Sequence, residues 1–444
     1  MSPVLQHYMP APLRLRWYTV ATAVLFVLVA PAAAAQPVAL LPAELSMLVA
    51  AAIDTHPSIK RARANRRAAL QDIDAARRAK WPTVSATTEA NVGGADTTSQ
   101  VAAIRIEQTL WDQGAQEARI AAVTTGADIS ALQLDLEQQD LAMQTINAWQ
   151  ALLAAQRRYN AANATVNIIA GFKAQMARRV DAQASPAIDL ELVDARLLQT
   201  QVERLSAENN VQLALQNLSR LTGITDLSAR PWAAPSQVAA PLTRASEAAF
   251  EAAISRADWD AVVQSHPLVT KARLEYSQVG EQLRAKQADR WPQAYARIDQ
   301  PLANNPLTGS NQATLLVGLR YTPGAGFSTQ LEAQALATRL EAQSFEIDKA
   351  ARTVDQLIYD DQQTFSVSVA HAAAQSLSLA GSQRVLASYE RQFQAGRKTW
   401  QDLLNAAREV AQNAFSLSDT QSTIQGAMYR LQVRLGVLST MTEH

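Results

Sequence analysis

The segment Thr55–Pro82, THPSIKRARANRRAALQDIDAARRAKWP, lies over Ser265–Pro292, SHPLVTKARLEYSQVGEQLRAKQADRWP, without a gap at an offset of 210 residues. His56-Pro57 falls on His266-Pro267, and Trp81-Pro82 on Trp291-Pro292. Solenoid units repeat every 20 to 50 residues or so, so a period this long is a duplicated half-protein. Whatever one half builds, the other must build again. Between the anchors each copy carries a helical pattern entered through Ser/Thr-His-Pro, which suits a capping residue followed by proline in the first turn.

After each Trp-Pro the hydrophobic period falls from 3.6 to 2. Val84, Ala86, Thr88, Ala90 and Val92 share one face, while Thr83, Ser85, Thr87, Glu89 and Asn91 share the other. Beyond the turn-rich GGADTTS, Ala102, Ile104, Ile106 and Leu110 oppose Ala103, Arg105, Glu107 and Thr109, which completes a hairpin over 83–110. The second copy opposes Ala294, Ala296, Ile298 and Leu302 to Tyr295, Arg297 and Asp299. It turns at NNPLTGSN and returns with Ala313, Leu315, Val317, Leu319 and Tyr321 against Thr314, Leu316, Gly318 and Arg320, a hairpin over 293–322. Each strand is about 10 residues long, enough to cross a bilayer when tilted.

Each hairpin leads into a run without proline, Gln113 to Gln183 and Phe327 to Ala395. Each run predicts one helix of roughly 70 residues, about 105 Å long at 1.5 Å per residue. AQASPAIDL and QAGRKTWQDL then turn the chain into return helices of roughly 36 to 40 residues, half the length of their partners. The helix before each Trp-Pro, roughly 25 to 40 residues, supplies the other half, so two short helices stacked end to end match one long one. The layout is a first repeat over 36–222, a connector over 223–264 marked by Pro231, Pro235 and Pro241, a second repeat over 265–438 and a tail over 439–444. The connector reads either as a segment packed on the outside or as a disordered linker.

Residues 1–35 stand apart. Arg14 and Arg16 precede the apolar run WYTVATAVLFVLVAP and then AAAAQ, the order of a secretory signal cut near Ala35. The apolar run is short of the 20 or so residues that span a bilayer. Composition favours long helices: apolar residues are 48% and dominated by Ala, aromatics are 6%, and there are 15 Gly. With 40 basic and 40 acidic residues and no like-charged block, nucleic acid is not an expected partner. No cysteine is present, which excludes disulfides, thiolate metal sites and a lipidated N-terminal cysteine.

Four amphipathic strands cannot close a barrel alone, and lipid does not tolerate open sheet edges. Bacterial barrels have even strand numbers from eight upward, so three chains with four strands each satisfy closure and leave an open lumen. Trp81, Trp111, Trp291 and Tyr321 stand one per strand at the helix-side ends, as an aromatic girdle at a membrane–water boundary would.

These features resemble the TolC-type outer-membrane channel family, the exit ducts of efflux pumps and type I secretion systems. The resemblance spans nearly all of the chain after the signal. It rests on the duplicated order of helix, hairpin, long helix and return helix, on Trp-Pro before each first strand, and on FQAGRKTWQDLLNAARE at Phe393–Glu409. It implies a mainly α fold with a membrane β part: coiled-coil helices forming a periplasmic tunnel, and four strands per chain in a trimeric 12-stranded outer-membrane barrel surrounded by lipid. Gly396 then lies at the helix-helix turn, Phe393 takes the aromatic position, and Asp402 matches the constriction aspartate of the periplasmic entrance. Asn405 stands where some members carry a second aspartate, and Lys398 where a basic residue holds the entrance closed by pairing across helices. The first tip, SPAIDLELVDAR, has Ser185-Pro186 in place of the glycine. Asp189, Glu191 and Asp194 are its candidates for the axis, and alignment on Ala195-Arg196 points to Glu191. The tip turns are also where an adaptor docks.

Three copies of Asp402 about a threefold axis make a carboxylate ring that attracts cations, and their repulsion raises some of their pKa values. No catalytic constellation, cofactor motif or metal site is expected. The five histidines (His7, His56, His266, His371, His444) are scattered, and PGAGF at Pro323 lacks the spacing and the Lys-Ser/Thr of a phosphate loop. The expected function is a passive homotrimeric duct, opened by untwisting of its helix pairs. Its expected partners are a periplasmic adaptor, or membrane-fusion protein, and an inner-membrane ABC exporter or proton-driven pump. LRYTPGAGFSTQLEAQ and the missing cysteine lean towards type I protein secretion over small-molecule efflux, and a periplasmic coiled-coil scaffold is the reading from another class.

Overall fold

A computed structural model describes residues 41–90, 100–236, 242–302 and 312–436. The expected signal, both hairpin turns with Asn91 and Val92, and the tail 439–444 lie outside these residues. The first half builds helices α1 (Ala43–Thr55) and α2 (Pro57–Arg78), strands β1 (Thr83–Ala90) and β2 (Gln100–Trp111), and helices α3 (Ala115–Asp181) and α4 (Ala187–Thr222). The second half builds α5 (Arg244–Arg256), α6 (Trp259–Ser265), α7 (Pro267–Ala288), β3 (Gln293–Pro301), β4 (Thr314–Arg320), α8 (Ser328–Gln394) and α9 (Trp400–Arg434).

The long helices α3 and α8 have 67 residues each, about 100 Å at 1.5 Å per residue. Along α3 pack α2 and α4, and along α8 pack α7 and α9. One difference from expectation concerns the helix before each Trp-Pro, which is 22 residues in both halves and is preceded by a separate helix. The break is at His-Pro. His56 (φ −66°, ψ 135°) and His266 (φ −61°, ψ 137°) are extended, as the residue before a proline must be to avoid its ring. Each histidine then caps the next helix, its Nδ1 accepting from Ser58 N–H at 3.3 Å or Leu268 N–H at 3.2 Å.

The other end of the 22-residue helix is Trp-Pro. The Trp81 and Trp291 N–H groups make the last turn bonds, to Arg78 O at 2.9 Å and Ala288 O at 3.1 Å. Proline follows with no N–H to donate, and the strand begins at the next residue.

The two halves join their stacked helices differently. In the first, Thr55 Oγ1 donates to Thr222 O at 2.7 Å across the seam. In the second, α9 carries Arg430 and Arg434, whose Nε atoms donate to the two carboxylate oxygens of buried Asp361 on α8 at 2.7 and 2.8 Å. Between the halves, buried Arg157 on α3 donates to Ser422 Oγ and Gln425 Oε1 on α9 at 2.8 and 2.7 Å.

The largest core lies at this level. Leu45 and Leu48 of α1, Ile146, Trp149 and Leu152 of α3, Leu218 of α4, Phe365 of α8 and Met428 of α9 are all buried in it. The described part of the connector packs here and is not a free linker. Trp232 packs against Trp149 with the rings tilted and their centres 5.3 Å apart, Gln156 Nε2 donates to Trp232 O at 2.8 Å, and Phe250 of α5 meets Phe365 edge-on.

The four strands form one antiparallel sheet in the order β1-β2-β3-β4. Val84, Ile106, Ile298 and Leu315 are mutual partners in one row across it. Ser85, Arg105, Asp299 and Thr314 form the next, so greasy and wet rows alternate as the period of two requires. Among the described residues no helix is long and apolar enough to cross a membrane.

Candidate functional site

Both long helices end on a residue with positive φ. After α8, Gly396 has φ +71°, and Arg397 N–H donates back to Gln392 O at 2.9 Å. After α3, Gln183 holds φ +57° and Ala184 N–H donates to Arg179 O at 2.8 Å. The counterpart of Gly396 is therefore Gln183, not Ser185-Pro186. Side chains disfavour this region and glycine does not, which is why a search for glycine misplaces the first turn.

The caps fix the rest of the alignment. Pro186 and Thr399 are the N-cap residues of α4 and α9, which makes Asp189 and Asp402 the third residue of their helices. Alignment on Ala195-Arg196 favours Glu191, which lies two residues beyond Asp189, the position that these caps set opposite Asp402. Glu191 is exposed, and Asp194 Oδ1 lies 2.7 Å from Lys173 Nζ of α3.

Asp402 has a local task. Its Oδ2 accepts from Thr399 N–H at 3.1 Å and Thr399 Oγ1 at 2.8 Å, and its own N–H donates to Thr399 Oγ1 at 3.2 Å. This is a capping box, which satisfies two orphan donors of α9. The Thr399 hydrogen bonds, with the nearby Lys398 charge, hold the Asp402 carboxyl below the usual range. Within one chain this pull opposes the upward shift that a carboxylate ring would impose.

Lys398 turns inward on its own hairpin. Its Nζ is 3.8 Å from Asp402 Oδ2 and 4.3 Å from the ring centre of Tyr389 on α8. Asn405 is exposed one turn beyond Asp402 and lines the same groove between α8 and α9.

Phe393, grouped with the docking positions, is buried. It packs on Trp400 with ring centres 5.2 Å apart, and the Arg179 guanidinium of α3 lies over its ring, 4.9 Å from the ring centre. Trp400 meets Phe172 of α3 edge-on at 5.5 Å, so one apolar cluster ties the tips of both hairpins together. The reason is spacing: Phe393 is two helical turns beyond buried Leu386 and continues its stripe. Among the expected docking positions Pro186 and Gly396 are exposed and Ser185 is half-buried, with Gln183, Ala184 and Arg397 exposed beside them.

At the opposite end of the molecule the wet rows of the sheet carry charges that cross strands. Asp299 Oδ1 accepts from Arg105 Nε and Glu107 Oε1 from Arg320 Nη2, at 2.8 and 2.7 Å. Tyr295 lies flat over its partner Gly318, where a Cβ would stand 3.0 Å from the Tyr295 hydroxyl, and Arg320 stacks on the ring at 4.5 Å. Alternation along each strand put these residues on the wet face, but their lacing depends on the register that sets Arg105 opposite Asp299 and on the reach of Arg320 across β3 to Glu107, neither of which alternation shows.

Trp81, Trp111, Trp291 and Tyr321 are all exposed at the helix-side end of the sheet. Trp111 reaches its position through a β-bulge: the register slips between Thr109 and Trp111, so Trp111 pairs with Ala294 in a greasy row.

Residues 48–224 match the model of the outer membrane efflux protein family. No curated protein matches the chain. Its fold is that of a membrane protein from Pseudomonas aeruginosa (TM-score 0.73, 16% identity, 89% of this chain and 94% of that one). It is equally that of the outer membrane protein VceC from Vibrio cholerae (TM-score 0.73, 15% identity, 89% and 96%). The fold is that of outer-membrane channel proteins.

The CmeC outer membrane channel of Campylobacter jejuni is similar too, with a TM-score of 0.71, 12% identity, and 89% and 86% of the two chains covered. The matched family is one of outer membrane proteins, and the tips of the helix hairpins and the laced sheet are the two ends of one long structure.

Proposed function

We propose that three copies of the chain close a 12-stranded barrel and continue it as a helical tunnel, forming a passive exit duct across the outer membrane and periplasm. The sheet carries this reading. β1 and β4 end it as open edges, and such edges cannot remain unpaired in lipid. β4 of one copy, antiparallel to β1 of the next, closes the ring with every neighbour antiparallel. The greasy rows face lipid, the laced rows face the lumen, and Trp81, Trp111, Trp291 and Tyr321 sit at the interface.

The helices support the same closure. α4 exposes Ile188, Leu198 and Val202 on one flank, and the second half of α8 exposes Val367, Leu377 and Val385 on the other, apolar surface that a neighbouring copy would cover. At the entrance, Asp402 and Asn405 line the pore, with Glu191 and Asp194 on the first hairpin. Ser185, Pro186 and Gly396 offer the exposed turns to a periplasmic adaptor, which links the duct to an inner-membrane ABC exporter or proton-driven pump.

Type I secretion and small-molecule efflux share this duct chemistry. PGAGF, which leaned towards secretion, has a local explanation: Gly324, Gly326 and Phe327 all take positive φ to turn β4 into α8. The matched family is described by efflux, which favours a pump as partner. Single-channel recording of purified protein in planar bilayers tests the duct. A heat-labile trimer with stable conductance is expected, and a soluble monomer without conductance would instead indicate a coiled-coil scaffold.

A further inference from the structure

Helix α2 carries seven basic and two acidic residues. Only Ile59 and Ala62 are buried, and the basic side chains are all exposed. Lys60, Arg67, Arg77 and Arg78 have no ion-pair partner among the described residues. At 100° per residue Lys60, Arg67 and Arg78 share one face, with Asp74 as its single acid. The repeat does not require this, since the equivalent helix α7 has four basic and two acidic residues.

The opposite bias lies on the first half of α8. Between Ser328 and Asp360 there are six acidic and three basic residues. Glu341, Asp348 and Asp355, spaced by seven, lie along one exposed face together with Phe345 and Tyr359, which are 64% and 55% exposed, and with Arg352 as its single base. None of the three acids has an ion-pair partner among the described residues. Carboxylates flanking exposed aromatic rings suit arginine, which gains from both.

Topology says where each face points. β1 and β4 are the two edges of the sheet; α2 leads into β1, and α8 follows β4 after a short turn. Whatever brings β1 of one copy beside β4 of the next also brings α2 beside α8. Height agrees as well. On α7 and α8, Lys286 pairs with Glu332, and Glu275 accepts from Gln343 at 3.3 Å. Carried through the 210-residue offset, this antiparallel register sets Arg67 level with Glu341 and Lys60 level with Asp348.

We propose that the basic face of α2 docks on the acidic, aromatic face of α8 of a second copy. This electrostatic clasp orders the copies head to tail below the barrel, and it rests on the trimer reading given above. Such heterologous contacts are repeated around a ring and close it.

The test uses the full-length protein in detergent. Lys60→Glu with Arg67→Glu is expected to lose most of the trimer on sizing columns at low salt, and adding Glu341→Lys with Asp348→Lys to restore it. Because the chain has no cysteine, Arg67→Cys with Glu341→Cys should give disulfide-linked dimers and trimers on oxidation. A wild-type trimer indifferent to the reversal, whose cysteine pair stays unlinked, overturns the clasp and leaves the duct standing. A wild type that is not trimeric overturns the duct reading itself.

Discussion

Gln183 holds a left-handed conformation that costs an L-residue about 1 kcal/mol more than glycine. Gln183→Gly should therefore raise stability by about that amount, and Gly396→Ala should lower it similarly, both read by chemical denaturation of the folded helices. Asp402 serves both a cap and, in the proposed duct, a ring, and two substitutions separate the tasks. Thr399→Ala removes the cap partner at a cost of about 1 kcal/mol and should leave cation selectivity intact. Asp402→Ala should lose both. Equal loss of selectivity in the two variants, measured by reversal potentials, would show that the cap alone matters. The sequence offered Asp402 only as a member of the tip motif and could not show that its oxygens are already engaged by Thr399. It misaligned the first tip because Gln183 does what a glycine usually does, and residue identity alone does not reveal φ.

The elements were the most legible part, for a physical reason. Absence of proline over some 70 residues leaves a helix nothing to stop it, and alternation across Val84, Ile106, Ile298 and Leu315 leaves a strand only one way to face. The seams were harder. The period of the pattern runs on through His56 and His266, and only the steric demand of the next proline breaks it. At the second seam, burial pushes the His266 imidazole down to about 4, with the Arg434 charge adding to the effect. A pKa below the unfolded value near 6.5 means that the unfolded chain takes up the proton first. Stability should be full above pH 6.5 and fall between there and pH 4, by about 3 kcal/mol for a fully shielded ring and by less for one that is part-exposed. Protonation also removes the Nδ1 lone pair that caps α7. His266→Asn keeps a cap without titrating, so its unfolding midpoint should fall less steeply over that range.

At the scale of the whole molecule, two copies of one plan differ where it matters for assembly. Thr55 and Thr222 close one seam with a neutral hydrogen bond, whereas Asp361, Arg430 and Arg434 close the other with buried charge. Replacing half of a buried ion cluster costs roughly 3–5 kcal/mol because the remaining charge is stranded. Asp361→Ala should accordingly loosen α9 from α8 and leave the first seam untouched, which hydrogen exchange can map. The fold class was visible in the sequence because each half must repeat the other. The proposed assembly rests on an argument about closure, since no pattern within one chain states its neighbours.

The two unlike edges of the sheet have a genetic consequence. A chain carrying prolines across β4 still presents an intact β1, so it can join a growing ring and then refuse the next member. Such an allele should be dominant. Expressed beside the normal one, it should deplete functional assemblies far more than its share of the pool, as the cube of the normal fraction when three subunits are needed. Titrating the two alleles against channel activity would trace that curve, and a straight proportional decline would show that the chains act singly.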